Sequence, residues 1–330
     1  MIHDLHARAR RANKKIAFPE GEDPRTVEAA LWLHEHEVAR PVLIGSEAGV
    51  RAAADQAGVS LPSAIPIVDP ARAEKAQEYA RALFNRRKHK GMTYDQAGEA
   101  ILDVLYFGDL MVLAGDADGC VAGAAHPSPD VIKAAIRVLG VAEGSALVSS
   151  FFLMILPDGR PVTYADCGVN ASPSAEQLAS IGIDAADNHR FLTGEDPLVA
   201  FLSFSTKGSA DSPEVDKVRE AVALAQQQRP DLTIDGEMQF DAAYDSGVGE
   251  RKAPGSAVAG RANVFVFPDL DAGNIGYKIT QRVGGAEAFG PVLQGLSKPA
   301  NDLSRGADWE DIANVAAITA LQAEAISARR

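Results

Sequence analysis

The chain has 330 residues, 46% of them hydrophobic and 23% charged, and a formal net charge of −13. That is the balance of a soluble globular protein long enough for two domains or one large α/β unit, and a field of that sign opposes nucleic acid and anionic membranes. Cys120 and Cys167 lack metal-type spacing and are too few for a secreted disulfide scaffold, and the longest apolar run, 146–156, is far short of the roughly 20 residues a membrane span needs. Reduced, buried thiols in a cytoplasmic protein are the expectation.

The basic N-terminus has no apolar stretch behind it, so it reads as a surface helix ending near Asn13 rather than a signal peptide. Residues 15–19 follow as a strand, and 24–37 as a helix opened by Pro24. A strand at 41–45, a helix at 47–56, a proline-weakened strand at 65–68 and a long helix from about 71 to 89 continue the alternation. Gly119 to Ala122 is a buried strand, with a helix starting after Ser128. Strands are predicted at 146–156, 161–166, 199–203, 233–236 and 264–267, and helices at 174–181, 213–228 and 308–328. This pattern predicts mainly parallel sheets flanked by helices. There is no repeat, no low-complexity tract and no Ser/Gly linker.

Three segments draw attention as chemistry. The glycine-dense stretch 252–306 contains turns suited to a backbone that approaches a ligand, or simply to a loop-rich edge. At its end, Ser304-Arg305-Gly306 precedes an amphipathic helix, with Asp308 as N-cap and Asp311 three residues on. An arginine beside the free N–H groups of a helix start suits a phosphate or a developing oxyanion; capping alone also accounts for Asp311, and a turn for Asp302. Arg86-Arg87-Lys88-His89-Lys90 is either a solvated helix end or the densest cationic patch available to a polyanion. The third is Gly123-Ala124-Ala125-His126, whose histidine is a ligand, an acid or a structural group. No Gly-x-Ser-x-Gly elbow supports a hydrolase triad, and no His/Cys cluster has metal spacing.

Several blocks stand out as recognisable units, in order along nearly the whole chain. They are Phe18-Pro19-Glu20-Gly21-Glu22-Asp23 with Arg25, Arg87-Lys88-His89-Lys90-Gly91, and Gly123-Ala124-Ala125-His126. Ser205-Thr206-Lys207-Gly208-Ser209-Ala210, Asp235-Gly236-Glu237-Met238-Gln239 with Asp241-Ala242-Ala243, and 253–306 ending in Asn301-Asp302-Leu303-Ser304-Arg305-Gly306 complete the set. Together these blocks resemble the phosphate acetyltransferase and butyryltransferase family, and the acetyl branch is the nearer one.

The resemblance implies two α/β domains of the isocitrate/isopropylmalate dehydrogenase type with the active site in the cleft between them. It implies a discontinuous first domain, 1–144 plus 295–330, a second at 145–294, and a homodimer. It assigns catalysis to Ser304, Arg305 and Asp311, and substrate binding to Arg87 and Lys133, which His126 and Asn301 of the matched blocks join. The implied reaction moves an acetyl group between acetyl phosphate and coenzyme A by direct thiolate attack, with coenzyme A as substrate and no tightly bound cofactor. A longer acyl group and a non-catalytic acyl-CoA sensor are the alternatives; a metal-dependent decarboxylating dehydrogenase would need metal-binding aspartates and a nicotinamide site, and the sequence offers neither. Pro127 and Pro129 stand where relatives carry Ser or Thr and a small residue, and Lys133 where they carry arginine. Lysine keeps the charge and loses the planar fork.

Overall fold

The computed structural model describes residues 1–328. The chain begins with α1 (Ile2–Ala12), β1 (Lys15–Phe18), α2 (Pro24–Glu35), β2 (Arg40–Ile44), α3 (Glu47–Ala57) and β3 (Ile67–Val68). α4 (Ala76–Arg87) runs into a 3-10 turn at Lys88–Lys90, followed by α5 (Tyr94–Ala100), α6 (Val104–Ala114), β4 (Gly119–Ala122) and α7 (Ser128–Val138). It continues with β5 (Ser149–Ile155), β6 (Pro161–Ala165), α8 (Ala175–Thr193), β7 (Leu198–Leu202), α9 (Pro213–Gln228) and β8 (Thr233–Met238). Then come α10 (Phe240–Tyr244), α11 (Ser246–Lys252), β9 (Val264–Val266), α12 (Leu270–Arg282) and β10 (Glu287–Gln294). The last elements are β11 (Ala300–Asp302) and α13 (Trp309–Ala328).

Contacts divide this chain into two compact units: Ile2–Ala142 with the return from Leu296 onward, and Glu143–Gly295. In the first, an entirely parallel five-stranded sheet has the order β11-β4-β1-β2-β3. Its strands are short continuous apolar runs, as a parallel sheet covered on both faces requires; Ile16, Ala17, Phe18, Leu43 and Ile44 are fully buried. Asp23 caps α2 by accepting from the Arg25 N–H at 2.9 Å, and Pro24 at its first position needs no partner for a missing N–H. α13 packs on α1, α2 and β4. Its Ile312, Ile318 and Leu321 are 0% exposed, each worth about 1.5–3 kcal/mol on burial.

The second unit holds a six-stranded sheet of order β10-β5-β6-β9-β7-β8. β6, β9, β7 and β8 are parallel, whereas β10 and β5 add antiparallel pairs at one edge. The predicted mainly parallel α/β class therefore holds, with this antiparallel margin as its exception. Within the glycine-dense stretch the structure forms a 13-residue helix, α12, capped by Asp269 through the Ala272 N–H at 2.9 Å, and a long strand, β10. The helix predicted at 174–181 runs on to Thr193, where Gly194 takes the left-handed cap. Cys120 and Cys167 are both free and buried, and among the described residues no helix is long and apolar enough to cross a membrane.

Candidate active site

In the parallel sheet of the first unit, chain order reverses between β1 and β4: β2 lies on one side of β1 and β4 on the other. The loops leaving the carboxyl ends of these two strands diverge there, and that is where open α/β sheets bind ligands. Three loops converge at this end: 19–23 after β1, 123–127 after β4, and 303–308 after β11.

The loop after β4 turns its backbone N–H groups inward, and Glu20 fills them. Its Oε2 accepts from Gly123 (3.0 Å) and Ala124 (2.8 Å), and its Oε1 from Ala125 (2.9 Å) and His126 (2.8 Å). Oε1 is also 2.8 Å from His126 Nδ1. Successive N–H groups of this kind make an anion cradle, and here the protein supplies its own anion. Gly123 has φ of +112°, and a Cβ there would fall 2.5 Å from Asp302 Oδ1 and from the Leu303 nitrogen, so only glycine lets the two loops close up.

Arg25 ties the loops together from α2. Its guanidinium bonds Asp23, then donates to the carbonyls of Ala124 (2.7 Å), Arg305 (3.0 Å) and Ala307 (2.7 Å). The turn after β11 is thus held by its main chain, which leaves Ser304 and Arg305 exposed. Ser304 Oγ accepts from the Gly306 N–H at 3.3 Å.

Asp311 sits at the start of α13 in a reciprocal cap. Its N–H donates to Asp308 Oδ1 (2.9 Å), and the Asp308 N–H donates to its Oδ2 (3.3 Å). A helix start ordinarily lowers a carboxyl pKa. Here loss of water around the carboxyl raises it above the usual range, outweighing the hydrogen bond from Asp308, although the residue as a whole is exposed at the surface. Asp302, 2% exposed, is pushed up to about 7, first by burial and then by the nearby Glu20 charge.

Away from these loops, Arg87, Lys90, Gly91, Met92, Gln96 and Arg137 line a pocket of about 370 Å³. Arg137 Nη1 is fixed by the Tyr106 hydroxyl at 2.9 Å. Lys133, exposed, lies one helical turn before Arg137 on the same face of α7. α7 therefore runs from the loop cluster at its N-terminus, past Lys133, to a cationic pocket; at 1.5 Å per residue the nine positions from Ser128 to Arg137 span about 14 Å.

Among the residues predicted from sequence, Ser304, Arg305 and Asp311 share the turn after β11, and His126 lies in the loop after β4. Asn301 takes a different place. It is 1% exposed on the opposite face of β11 from Asp302, and its amide donates to Thr319 Oγ1 (2.7 Å) and Gln322 Oε1 (2.8 Å) of α13. It braces strand against helix. The cationic patch read from sequence contributes Arg87 and Lys90 to this pocket, whereas sequence reasoning missed Glu20 and Arg25 as site-building groups and Arg137 as a pocket cation. The usable signals were a Pro-Glu-Gly turn straight after a strand and the four-residue spacing of Lys133 and Arg137.

The second unit gathers its own matched blocks at the carboxyl ends of β7 and β8. Glu237, 3% exposed, accepts from Ser205 Oγ (2.8 Å), the Gly208 N–H (2.9 Å) and Arg219 Nε (3.2 Å). Lys207 pairs with Asp235, and Lys252 Nζ donates to Gln239 and Asp241 at 2.8 Å each. Among the described residues no group of three or more His, Cys, Asp or Glu is placed to hold a metal ion.

Comparison with known proteins bears on the same blocks. The chain is 47% identical over 329 residues to a phosphate acetyltransferase from Thermoanaerobacterium thermosaccharolyticum, covering 98% of this chain and 99% of that one. It is 47% identical over 309 residues to one from Bacillus subtilis, covering 94% of each. A solved phosphotransacetylase from Streptococcus pyogenes superposes with a TM-score of 0.93 at 43% identity, over 98% of this chain and 99% of that one. The family described as phosphate acetyl/butaryl transferase matches residues 1–320. With that match running through every loop of the cluster, the chain belongs to this family.

Proposed function

We propose that the chain is a phosphate acetyltransferase, an acyltransferase that exchanges an acetyl group between acetyl phosphate and coenzyme A. The observation that carries this reading is near-full-length similarity to phosphate acetyltransferases, with the matched Ser304-Arg305 turn exposed at the switch point of a parallel sheet.

The chemistry follows from the side chains. A thiol with a pKa near 8.5 is only a few per cent thiolate at neutral pH, so a base speeds the step. Asp311, whose raised pKa suits a base better than an ordinary helix-capping aspartate, takes the thiol proton as sulfur attacks the acetyl carbonyl. The new S–C bond pushes charge onto the carbonyl oxygen, which Arg305 and the Ser304 hydroxyl stabilise, a donor of this type being worth roughly 3–4 kcal/mol. Collapse breaks the C–O bond to phosphate, which leaves as a stable anion, so no acyl-enzyme forms.

α7 supports the placement of coenzyme A, whose thiol and phosphates are separated by a long flexible arm. With the thiol at the loop cluster, the phosphates reach Lys133 and the Arg87–Lys90–Arg137 pocket. The Glu20-filled cradle is closed to phosphate, so His126 contributes through its ring edge rather than its main chain. A cytoplasmic homodimer completes the proposal. Buried free thiols suit that compartment, and the exposed Ile275, Ile279 and Val283 of the α12 face suit a subunit contact.

The test is a thiol-coupled assay with acetyl phosphate and coenzyme A, repeated with butyryl phosphate. Faster turnover of the acetyl substrate supports the reading. Preference for butyryl phosphate moves the chain to the longer-acyl branch, and turnover of neither leaves only an acyl-CoA-binding role.

A further inference from the structure

Arg25 belongs to α2 and has no part in the mechanism above, yet all five of its guanidinium N–H groups have an acceptor. Nε donates to Asp23 Oδ1 (3.1 Å), and one Nη2 proton to Asp23 Oδ2 (2.8 Å). The other Nη2 proton goes to the Ala124 carbonyl (2.7 Å), in the loop after β4. Both Nη1 protons go to the turn after β11, to the carbonyls of Arg305 (3.0 Å) and Ala307 (2.7 Å) on either side of Gly306. The Asp23 end is itself anchored, because Oδ1 also caps α2 through the Arg25 N–H at 2.9 Å.

The turn depends on this one side chain. Ser304, Arg305 and Gly306 are exposed. The turn's own hydrogen bonds are local: the Ala307 N–H donates to the Ser304 carbonyl (2.9 Å), and the Gly306 N–H to Ser304 Oγ (3.3 Å). The flanking anchors fall outside it. Before it, the Leu303 N–H donates to the Ala122 carbonyl (2.8 Å); after it comes the reciprocal cap of Asp308 and Asp311. Among the described residues, Arg25 alone reaches 304–307 by hydrogen bond from outside the turn.

We propose that Arg25 is a positioning residue for acetyl transfer: through the Arg305 and Ala307 carbonyls it holds the Ser304 and Arg305 side chains in register with the loop after β4. This rests on acetyl transfer being the reaction. With every donor committed inside the protein, the guanidinium has none to give a phosphate, so its contribution falls on kcat rather than on substrate affinity. A displacement of about 1 Å in a reacting group costs about 10²-fold in rate. Lysine cannot take over, since its ammonium has three donors and no planar fork.

The experiment compares wild type, Arg25→Lys and Arg25→Ala in three measurements. These are kcat and KM for acetyl phosphate and coenzyme A, urea unfolding, and hydrogen exchange of the Gly306 and Ala307 amides. Arg25→Lys is expected to lose about 10- to 10²-fold in kcat, with each KM within about twofold of wild type and both amides exchanging faster. Arg25→Ala should lose at least as much. Millimolar ethylguanidinium, the piece that truncation removes, should restore part of its rate saturably and slow the exchange again, with the urea midpoint unmoved. A purely structural role would show no such rescue. Arg25→Lys with kcat within about twofold of wild type would overturn the proposal, as would a loss confined to KM, or an Arg25→Ala rate that ethylguanidinium leaves unchanged. Should Arg25→Ala fail to fold by circular dichroism, kcat and exchange in Arg25→Lys decide. Wild type that transfers no acetyl group refutes the reaction instead, because the exchange of Gly306 and Ala307 reads the tie without turnover.

Discussion

The loops after β4 and β11 leave neighbouring parallel strands at the same end of one sheet, yet they are held in opposite ways. In the first, the Glu20 carboxylate occupies the backbone N–H groups of Gly123 to His126, and the main chain has nothing left to offer a ligand. In the second, Arg25 grips the main chain through Arg305 and Ala307, and the side chains of Ser304 and Arg305 stay exposed. One loop is a rigid wall and the other a rigid handle with free side chains. The difference separates stability from chemistry: damage to the first should unfold the protein, and damage to the second should leave a folded but slow enzyme.

The largest test of that division is Glu20→Ala. It takes the acceptor from four N–H groups, two of them (Gly123 and Ala124) buried, and a buried donor left unmade costs about 1–3 kcal/mol, so about 2–5 kcal/mol is expected for the pair. Urea unfolding should register a lower midpoint by that amount; a loss under about 0.5 kcal/mol, the size of an ordinary surface change, would mean the loop does not depend on its internal anion.

A smaller effect, confined to rate, is expected of Asp311→Asn. The amide oxygen can still accept the Asp308 N–H, so the cap survives while the base is gone. Single-turnover rates should drop by about 10²-fold or more, with KM for acetyl phosphate little changed. Near-normal kcat would return Asp311 to helix capping alone.

Lys133→Arg should have the smallest effect. Restoring a planar fork one turn before Arg137 should lower KM for coenzyme A about two- to fivefold and leave kcat alone. An unchanged KM would place coenzyme A's phosphates elsewhere than along this face of α7.

Much of this contrast was legible in the sequence, and what was not has a physical reason. The strands of the parallel sheet announce themselves as short apolar runs between turn residues, so β1, β2 and β4 were found nearly to the residue. α12 was hidden because Gly273 and Gly276, which dilute its helical signal, are there for packing: a side chain on either would strike Asp166 or Phe267. The Ser304-Arg305 turn and the Asp308–Asp311 cap could be read from spacing, since caps are local. Glu20 could not. It acts through residues about a hundred positions away, and only the strand order that sets β4 beside β1 brings them into contact. Asn301 illustrates the converse: adjacent to Asp302 in sequence, it faces the other side of β11 and belongs to the core.

The most direct measurement of the central claim is the pair of numbers kcat and unfolding free energy for Arg305→Ala. With the turn held through main-chain carbonyls, the variant should unfold within about 0.5 kcal/mol of wild type while kcat for acetyl transfer falls about 10²–10³-fold. A stable variant that keeps wild-type kcat would contradict the assignment of this turn to the chemistry, and a variant that loses several kcal/mol of stability would contradict the division between wall and handle.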